Sequence, residues 1–303
     1  MLFTQKNAAE KRRAFREGLA SGRLLQFPGA FNPLCAQLIE RKGFDGVYVS
    51  GAVMAADLCL PDIGIATMTE FVERGRQIAR VTDLPAFIDI DTGFGEPMAA
   101  ARTVREMEDA GLAGCHIEDQ VMPKRCGHLD GKEIVPVETM IKRVKAAAEA
   151  KRDENFVLIA RSDARAVEGL DASLDRMKAY VDAGADMIFP EAMKSEAEFE
   201  AVRNAIDVPI LANMTEFGKS RLLNKAELEA LGFNVVIYPV TTLRLAMGAA
   251  DRGLDAILRD GDQNAILDEM QHRRDLYDLL RYEDYNAFDA DIFNFQVGDT
   301  PTE

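Results

Sequence analysis

Eight short, mostly apolar runs recur along the chain, and segments with a helical pattern separate them. The runs are Leu24–Phe27, Gly46–Val49, Ala86–Ile90, Gly114–Ile117, Phe156–Ala160, Asp186–Phe189, Pro209–Leu211 and Val235–Tyr238. Amphipathic helices are predicted between them at Thr69–Arg80, Ala99–Ala110, Val137–Ala150, Ala172–Ala183 and Ser195–Ala205. Near-continuous apolar runs are typical of parallel strands that are buried on both faces. Eight strand–helix repeats therefore predict an α/β fold of the closed (β/α)₈ barrel type.

Three additions to the minimal barrel are expected within a single domain that spans residues 1–303. Met1–Gly22 is charged and helix-like, and residues 250–303 form a helical extension that includes Gln263–Arg281. The extension ends in an aromatic-rich tail, for which we expect burial against a neighbouring subunit. The segment 120–136 is longer than an ordinary strand–helix loop, and loops of that length are often lids over a site. A glycine follows four of the helical patterns, where a left-handed cap is expected: Gly43, Gly111, Gly184 and Gly232.

Net charge and cysteine content exclude several classes of partner. The formal net charge of −15 argues against binding to a nucleic-acid backbone or to an anionic membrane. A small anionic substrate would instead need local arginine and a metal ion. The four cysteines show no CxxC spacing, which favours reduced thiols in a cytoplasm. No apolar run is long enough for a signal peptide or a membrane span.

Polar residues follow the predicted strands, where barrels of this type build their active sites. Asp89 and Asp91 alternate, so both side chains are expected on one face of the third strand. A hard divalent cation would relieve the repulsion between them, and Mg²⁺ suits carboxylate ligands. Glu118 and Asp62 are placed to complete an outer shell. The alternative is that Asp91 only caps the following turn.

Arg161 ends the fifth predicted strand beside this acidic cluster. Its planar guanidinium could grip a substrate carboxylate with two hydrogen bonds. A buried salt bridge to Glu191 or Asp163 is the structural alternative, and the two roles are compatible. His116 lies in the middle of a strand, where we expect a core histidine.

Cys126 lies between two cations and an imidazole in the segment Lys124–His128. Neighbouring positive charge favours the thiolate, so a cysteine at such a place is easily recruited for catalysis. A surface cysteine beside solvated charges is the alternative. Because the segment follows the fourth strand and faces the carboxylate pair of the third, we interpret Cys126 as a general acid.

The motifs together resemble the isocitrate lyase and phosphoenolpyruvate mutase superfamily. They are Tyr48–Gly51, Leu60–Gly64, Asp89–Gly95, Ile117–Gln120, Lys124–His128 and Ala160–Asp163. Within the superfamily the chain is most similar to the 2-methylisocitrate lyases, on the strength of Phe189–Ala192, Leu211–Gly218 and Arg274–Tyr277. The 2,3-dimethylmalate lyases and oxaloacetate decarboxylases of the group are the alternatives. One departure is that the usual Ser-Gly-Gly reads Ser50-Gly51-Ala52, with one residue fewer before Pro61.

The resemblance implies a lyase of propionate catabolism that cleaves 2-methylisocitrate, a tricarboxylate, into pyruvate and succinate. It implies Mg²⁺, with Mn²⁺ as a substitute, and a homotetramer in which neighbours exchange a carboxyl-terminal helix. The implied metal residues are Asp89, Asp91, Asp62 and Glu118, and Cys126 would protonate the product carbanion. The implied substrate-binding residues are Ser50, Gly51, Ala52, Gly127, His128, Arg161, Glu191, Asn213, Thr215, Arg244 and Arg273. Tyr48 is a candidate for the base. A hypothesis from another class is a non-catalytic metal-binding or redox-sensing barrel with an oxidisable Cys126.

Overall fold

The computed structural model describes residues 4–125, 127 and 131–294. The chain divides into two compact units, Met1–Ala246 and Met247–Glu303, which are described separately. Within the described residues, no helix has both the length and the apolar content that a membrane span requires.

The first unit contains a ring of eight parallel strands. They are β1 Leu25–Pro28, β2 Val47–Val49, β3 Ala86–Asp89, β4 Gly114–Glu118, β5 Val157–Ser162, β6 Met187–Pro190, β7 Leu211–Asn213 and β8 Val235–Tyr238. Strands β2 to β6 pair in sequence order, and β8 pairs with both β7 and β1. Single parallel bridges, Gly29 with Tyr48 and Ile188 with Ile210, join the two sets. The predicted (β/α)₈ barrel is thereby confirmed.

Helices surround this ring at positions close to the predicted ones. They are α1 Ala8–Ala20, α2 Pro33–Arg41, α3 Gly51–Asp57, α4 Met68–Ala79, α5 Pro97–Asp109, α6 Val137–Ala150, α7 Leu170–Asp182, α8 Glu196–Ala205 and α9 Lys225–Ala230. A further helix, α10 Thr241–Asp260, begins in the first unit and continues into the second. Local sequence sets several of their starts. Thr67 and Glu70 form a reciprocal capping box at α4, and Ser195 caps α8. The four glycines expected as left-handed caps all have positive φ.

The interior of the barrel changes character from one end to the other. At the amino-terminal end, Phe15 of α1 packs against Phe27 and Phe87 with ring centroids 5.1 and 5.9 Å apart. At the carboxyl-terminal end the inward side chains are polar, as at Asp89 and Arg161, and they are buried. One end therefore stabilises the barrel by apolar burial, and the other collects the charged groups.

The second unit is helical. After the end of α10 it contains a 3₁₀ segment at Asn264–Glu269, then α11 Arg273–Leu280 and α12 Tyr282–Phe293. The helical stretch predicted for Gln263–Arg281 is present but interrupted, because the chain is extended at Met270, and it ends at the left-handed Arg281. Many of its large apolar side chains are exposed within one chain, and Phe293 is 82% exposed.

Candidate active site

A cavity of about 50 Å³ lies at the carboxyl ends of the strands. Its lining contains most of the residues predicted for the site, namely Tyr48, Ser50, Ala52, Asp62, Asp89, Gly127, Arg161, Glu191, Asn213 and Thr215. Lys124 and Arg125 also line it. Three residues of the 120–136 segment, Lys124, Arg125 and Gly127, thus border the cavity.

Asp89 and Asp91 meet at the end of β3, although only Asp89 lies within the strand. Asp89 Oδ1 accepts a hydrogen bond of 2.9 Å from the Asp91 amide, and its Oδ2 accepts one of 3.3 Å from the Gly51 amide. Asp91 has a left-handed backbone, with φ of 47°. A Cβ at position 51 would lie 2.8 Å from Asp89 Oδ2, so only glycine allows this close approach.

The two carboxyl groups differ in their tendency to ionise. Burial, followed by the charge of Asp89, raises the pKa of Asp91 to about 6. Burial also opposes ionisation of Asp89, but the pKa of that group is lowered, because the charges of Lys124 and Arg161 and the hydrogen bond from the Asp91 amide favour the carboxylate. Asp89 therefore ionises more readily than a free aspartate, whereas Asp91 holds its proton more readily.

Lys124 is the cation that faces this pair. Its buried ammonium forms an ion pair with Asp62 and lies 2.8 Å from Asp91 Oδ1. Burial alone would lower the pKa of Lys124, yet the neighbouring carboxylates, Glu118 foremost, raise it above its ordinary value. Sequence reasoning treated Lys124 only as a charge next to Cys126. A basic residue in a loop after a strand next to paired aspartates was the signal that could have identified it.

Arg161 lies at the end of β5 and is buried. Its Nε and Nη2 donate to the two oxygens of Asp163 over 3.0 and 3.2 Å, and Nη1 lies 3.3 Å from Glu118. The guanidinium also lies 5.2 Å from the ring centroid of Phe189. The predicted salt bridge to Asp163 is confirmed. Since Arg161 also lines the cavity, its position suits the binding of a substrate carboxylate as well.

Glu118 has unused capacity to bind a cation. It is fully buried, and apart from the ion pair with Arg161 neither of its carboxyl oxygens accepts a hydrogen bond from a residue that the structure describes. Burial raises the pKa of Glu118 well above its usual range. An unpartnered carboxyl oxygen at this depth fits a hard cation.

The donor set as a whole fits Mg²⁺, although it is not preassembled. Asp89, Asp91, Asp62 and Glu118 supply only oxygen atoms, which this ion prefers. Within residues 4–125, 127 and 131–294, however, no three His, Cys, Asp or Glu side chains are arranged around a common metal position. Lys124 lies among the carboxylates instead.

Tyr48 and His116 form a buried pair beneath the cavity. Tyr48 Oη lies 2.8 Å from His116 Nε2, and His116 Nδ1 lies 3.7 Å from Asp89 Oδ1. Burial lowers the pKa of His116 to about 4 and raises that of Tyr48 well above 10. Both side chains are therefore neutral near pH 7. His116 is thus a buried core histidine, as expected, and its Nε2 is hydrogen-bonded to Tyr48.

Most of the remaining predicted residues fall into three groups, and Arg244 and Arg273 lie apart from them. Asn213 Nδ2 donates to Glu191 Oε2 over 3.3 Å, and Thr215 lines the same wall. Ser50, Gly51 and Ala52 form the start of α3. Cys126 and His128 lie outside the described residues.

Arg244 and Arg273 are not among the residues of the cavity wall. Arg244 is exposed, and its guanidinium donates to Glu216 Oε2 over 2.7 Å and lies 5.3 Å from the ring centroid of Phe217. Arg273 belongs to the second unit, where it lines a concave surface formed by α11 and α12. For Arg244, the competing carboxylate of Glu216 was not foreseen from the sequence.

Comparisons with known proteins agree with this geometry. A family profile described as phosphoenolpyruvate phosphomutase matches residues 15–258. A curated protein of Corynebacterium glutamicum, named probable 2-methylisocitrate lyase 1, is 60% identical over 97% of this chain and 96% of its own length. The 2-methylisocitrate lyase of Bacillus subtilis is 47% identical over 92% of both chains.

Solved structures show the same architecture. A crystal structure of 2,3-dimethylmalate lyase superposes with a TM-score of 0.88 at 31% identity, over 99% of both chains. A phosphonopyruvate hydrolase in complex with oxalate and Mg²⁺ superposes with a TM-score of 0.84 at 33% identity, over 92% of this chain and 98% of that one. The chain therefore belongs to the phosphoenolpyruvate mutase and isocitrate lyase superfamily.

Proposed function

We propose that this chain is an Mg²⁺-dependent carbon–carbon lyase that cleaves 2-methylisocitrate into pyruvate and succinate. The observation that carries the proposal is the polarity of the cavity, whose lining combines the carboxyl groups of Asp62, Asp89 and Glu191 with the guanidinium of Arg161. Such a cavity suits a hydroxy-acid whose carboxylates need both a metal and an arginine. The identity of 60% to a protein named as a 2-methylisocitrate lyase supports this substrate.

The metal residues in this proposal are Asp89, Asp91 and Glu118, with Asp62 in support. When bound there, Mg²⁺ would screen the carboxylate of the substrate and lower the pKa of its hydroxyl group. The oxygen-only donor set and the unpartnered Glu118 Oε1 support this assignment. The phosphonopyruvate hydrolase crystallised with Mg²⁺ is a further argument from similarity.

The reaction is a retro-aldol cleavage. The hydroxyl group loses its proton, its oxygen becomes the carbonyl of pyruvate, and the electrons of the broken carbon–carbon bond move to the succinate fragment. Charge then develops on the adjacent carboxylate, where Arg161, Asn213 and Thr215 would stabilise it as it forms. Ser50, Gly51 and Ala52 would hold the carboxylate of the pyruvate half.

Two proton transfers complete the cleavage. Tyr48, which lines the cavity with its Oη 2.8 Å from His116 Nε2, is the candidate to take the hydroxyl proton. Cys126 would donate a proton to the carbanion of succinate, with Gly127 and His128 beside it in the sequence. Glu191 would hold Asn213 in place through their hydrogen bond.

The functional test follows pyruvate after mixing the protein with 2-methylisocitrate and Mg²⁺. We expect release of pyruvate that a chelator abolishes and excess Mg²⁺ restores, together with an equal amount of succinate. 2,3-Dimethylmalate and oxaloacetate, measured side by side, should give a much lower kcat/KM. Absence of chelator-sensitive pyruvate would rule out the proposed function.

Two matched thiol variants test the role of Cys126. Cys126→Ser should lose turnover, whereas Mg²⁺ should still raise the Tm of this variant. Cys59→Ser, at an exposed free cysteine, should retain the activity of the wild type. Equal activity of both variants would show that the Cys126 thiol does not protonate the carbanion of succinate.

We also propose that residues 1–303 work as one barrel domain in a cytoplasmic homotetramer, with carboxyl-terminal helices exchanged between neighbours. The exposed apolar side chains of the second unit, such as Leu254, Leu258 and Phe293, support burial against another copy. Light scattering coupled to gel filtration should give a mass four times the 33.4 kDa of the chain. A monomer at micromolar concentration would contradict this assembly.

A further inference from the structure

Lys132 is a buried lysine that the proposed chemistry does not use. Its side chain is 2% exposed, and its ammonium donates to the carbonyl oxygen of Gly127 and to Asp163 Oδ1, the latter over 2.7 Å. An ammonium group at this depth is costly unless charged or polar partners compensate for the lost water. Its two partners belong to different loops, those that follow β4 and β5.

Asp163 connects Lys132 to the substrate-binding wall. Its two oxygens hold Arg161 in a bidentate pair, and its amide donates to Asp119 Oδ1 over 2.8 Å. Asp163 Oδ1 therefore accepts from both Lys132 and Arg161. Lys132 thereby balances a carboxylate that would otherwise face Arg161 alone.

Gly127 lies directly against the same guanidinium. A Cβ at position 127 would be 2.3 Å from Arg161 Nη2 and 2.4 Å from Glu191 Oε1. The main chain at Gly127 and the tip of Arg161 thus occupy adjoining space in the wall of the cavity. The bond from Lys132 to the Gly127 carbonyl fixes one side of this contact, and the bond to Asp163 fixes the other.

We propose that Lys132 is a positioning residue, which holds the Gly127 main chain and, through Asp163, the Arg161 guanidinium in one arrangement. The proposal rests on the proposed function, in which Arg161 stabilises charge on the departing succinate. Misplacement of that guanidinium weakens an interaction that grows in the transition state, so the loss falls on kcat more than on KM.

The experiment compares Lys132→Met with Lys132→Arg, and uses Lys145→Met as the matched control. Lys145 lies on α6 with its side chain 67% exposed, and its ion pair is with Glu149 of the same helix. In the full-length protein with Mg²⁺, we expect Lys132→Met to lower kcat roughly tenfold to hundredfold, because it removes two charge-assisted hydrogen bonds. KM should change less than threefold, and Lys132→Arg should recover part of the loss.

Hydrogen exchange gives a readout that does not depend on turnover. Val121 and Val135 donate backbone bonds of 2.9 Å to Glu133 and Asp119, so their amides report on the order of the segment. In peptides that cover residues 120–136, Lys132→Met should exchange several-fold faster than the wild type, and Lys145→Met should not.

Each outcome decides the matter. Unchanged exchange in Lys132→Met overturns the proposal, and so does faster exchange with kcat within threefold of the wild type. If the wild type releases no pyruvate, the proposed function fails, while the exchange data still decide whether Lys132 anchors Gly127. Should Lys132→Met fail to fold, as judged by circular dichroism, Lys132→Gln is measured in its place against the same limits.

Discussion

Replacing Gly127 with alanine adds one carbon at the contact between the 120–136 segment and Arg161. The new Cβ would lie 2.3 Å from Arg161 Nη2, whereas ordinary contacts begin at 3.4 Å. One of the two groups must therefore move by about 1 Å. Arg161 is held by Asp163 with two hydrogen bonds, and Glu191 blocks the other direction. The displacement cannot be absorbed by rotation of a free side chain.

The expected loss follows from that displacement. A misplacement of about 1 Å in a group that orients substrate can cost on the order of a hundredfold in rate, or about 2.7 kcal/mol of transition-state stabilisation. We therefore expect kcat/KM of Gly127→Ala for 2-methylisocitrate to fall roughly a hundredfold. Initial rates of pyruvate release, coupled to oxidation of NADH by lactate dehydrogenase, provide the measurement.

Gly248→Ala is the control, because a Cβ there meets its nearest neighbour at an ordinary 3.7 Å. It should keep full activity. If Gly127→Ala retains kcat/KM within threefold of the wild type, the steric argument is wrong, and the Gly127 main chain does not restrain Arg161 during turnover.

Three further predictions concern the metal, the core and the buried histidine. Mg²⁺ at a hundred times its Kd should stabilise the protein by about 2.7 kcal/mol, seen as a rise in Tm that Asp89→Asn removes, and an equal rise in that variant would contradict the assignment. Phe15→Ala should lower the free energy of unfolding by about 3–5 kcal/mol in a urea titration, because it empties the space beside Phe27 and Phe87, and a loss under 1 kcal/mol would refute that packing. His116, with a pKa lowered to about 4, binds a proton more weakly in the folded chain than in the unfolded one. The free energy of unfolding should therefore fall by up to about 3 kcal/mol as the pH is lowered from about 6.5 towards 4. The ring resonances of His116 in an NMR titration should stay constant from pH 8 to 5, and a midpoint near 6.5 would show that the ring is not buried.

The sequence predicted the barrel well because the information for it is local. Each strand is a short apolar run, and each helix shows the 3.6-residue period, so segments such as Val137–Ala150 were predicted with their observed bounds. The order of strands in a closed barrel then places their carboxyl ends together. For that reason Asp89 and Arg161, although 72 positions apart in numbering, were expected in one site, and both line the same cavity.

Secondary structure and charge pairing were predicted less well where neither hydrophobic periodicity nor strand register constrains the chain. The stretch Gln263–Arg281 has helical composition, yet its backbone leaves the helix at Met270. Arg244 carries the right charge for a carboxylate, but Glu216, 28 residues earlier in the chain, holds its guanidinium. Residue type alone does not reveal which opposite charge lies nearest.

The sequence by itself determined the eight-stranded barrel and the polar groups at its carboxyl end, because hydrophobic periodicity and strand order are properties of neighbouring residues. Only the tertiary structure decided which charges pair at that end. Lys124 reaches Asp62 across 62 positions, and Lys132 reaches Asp163 across 31. Both lysines follow β4 in the sequence, and their buried positions near the strand ends, together with the cost of burying an unpaired charge, select their partners.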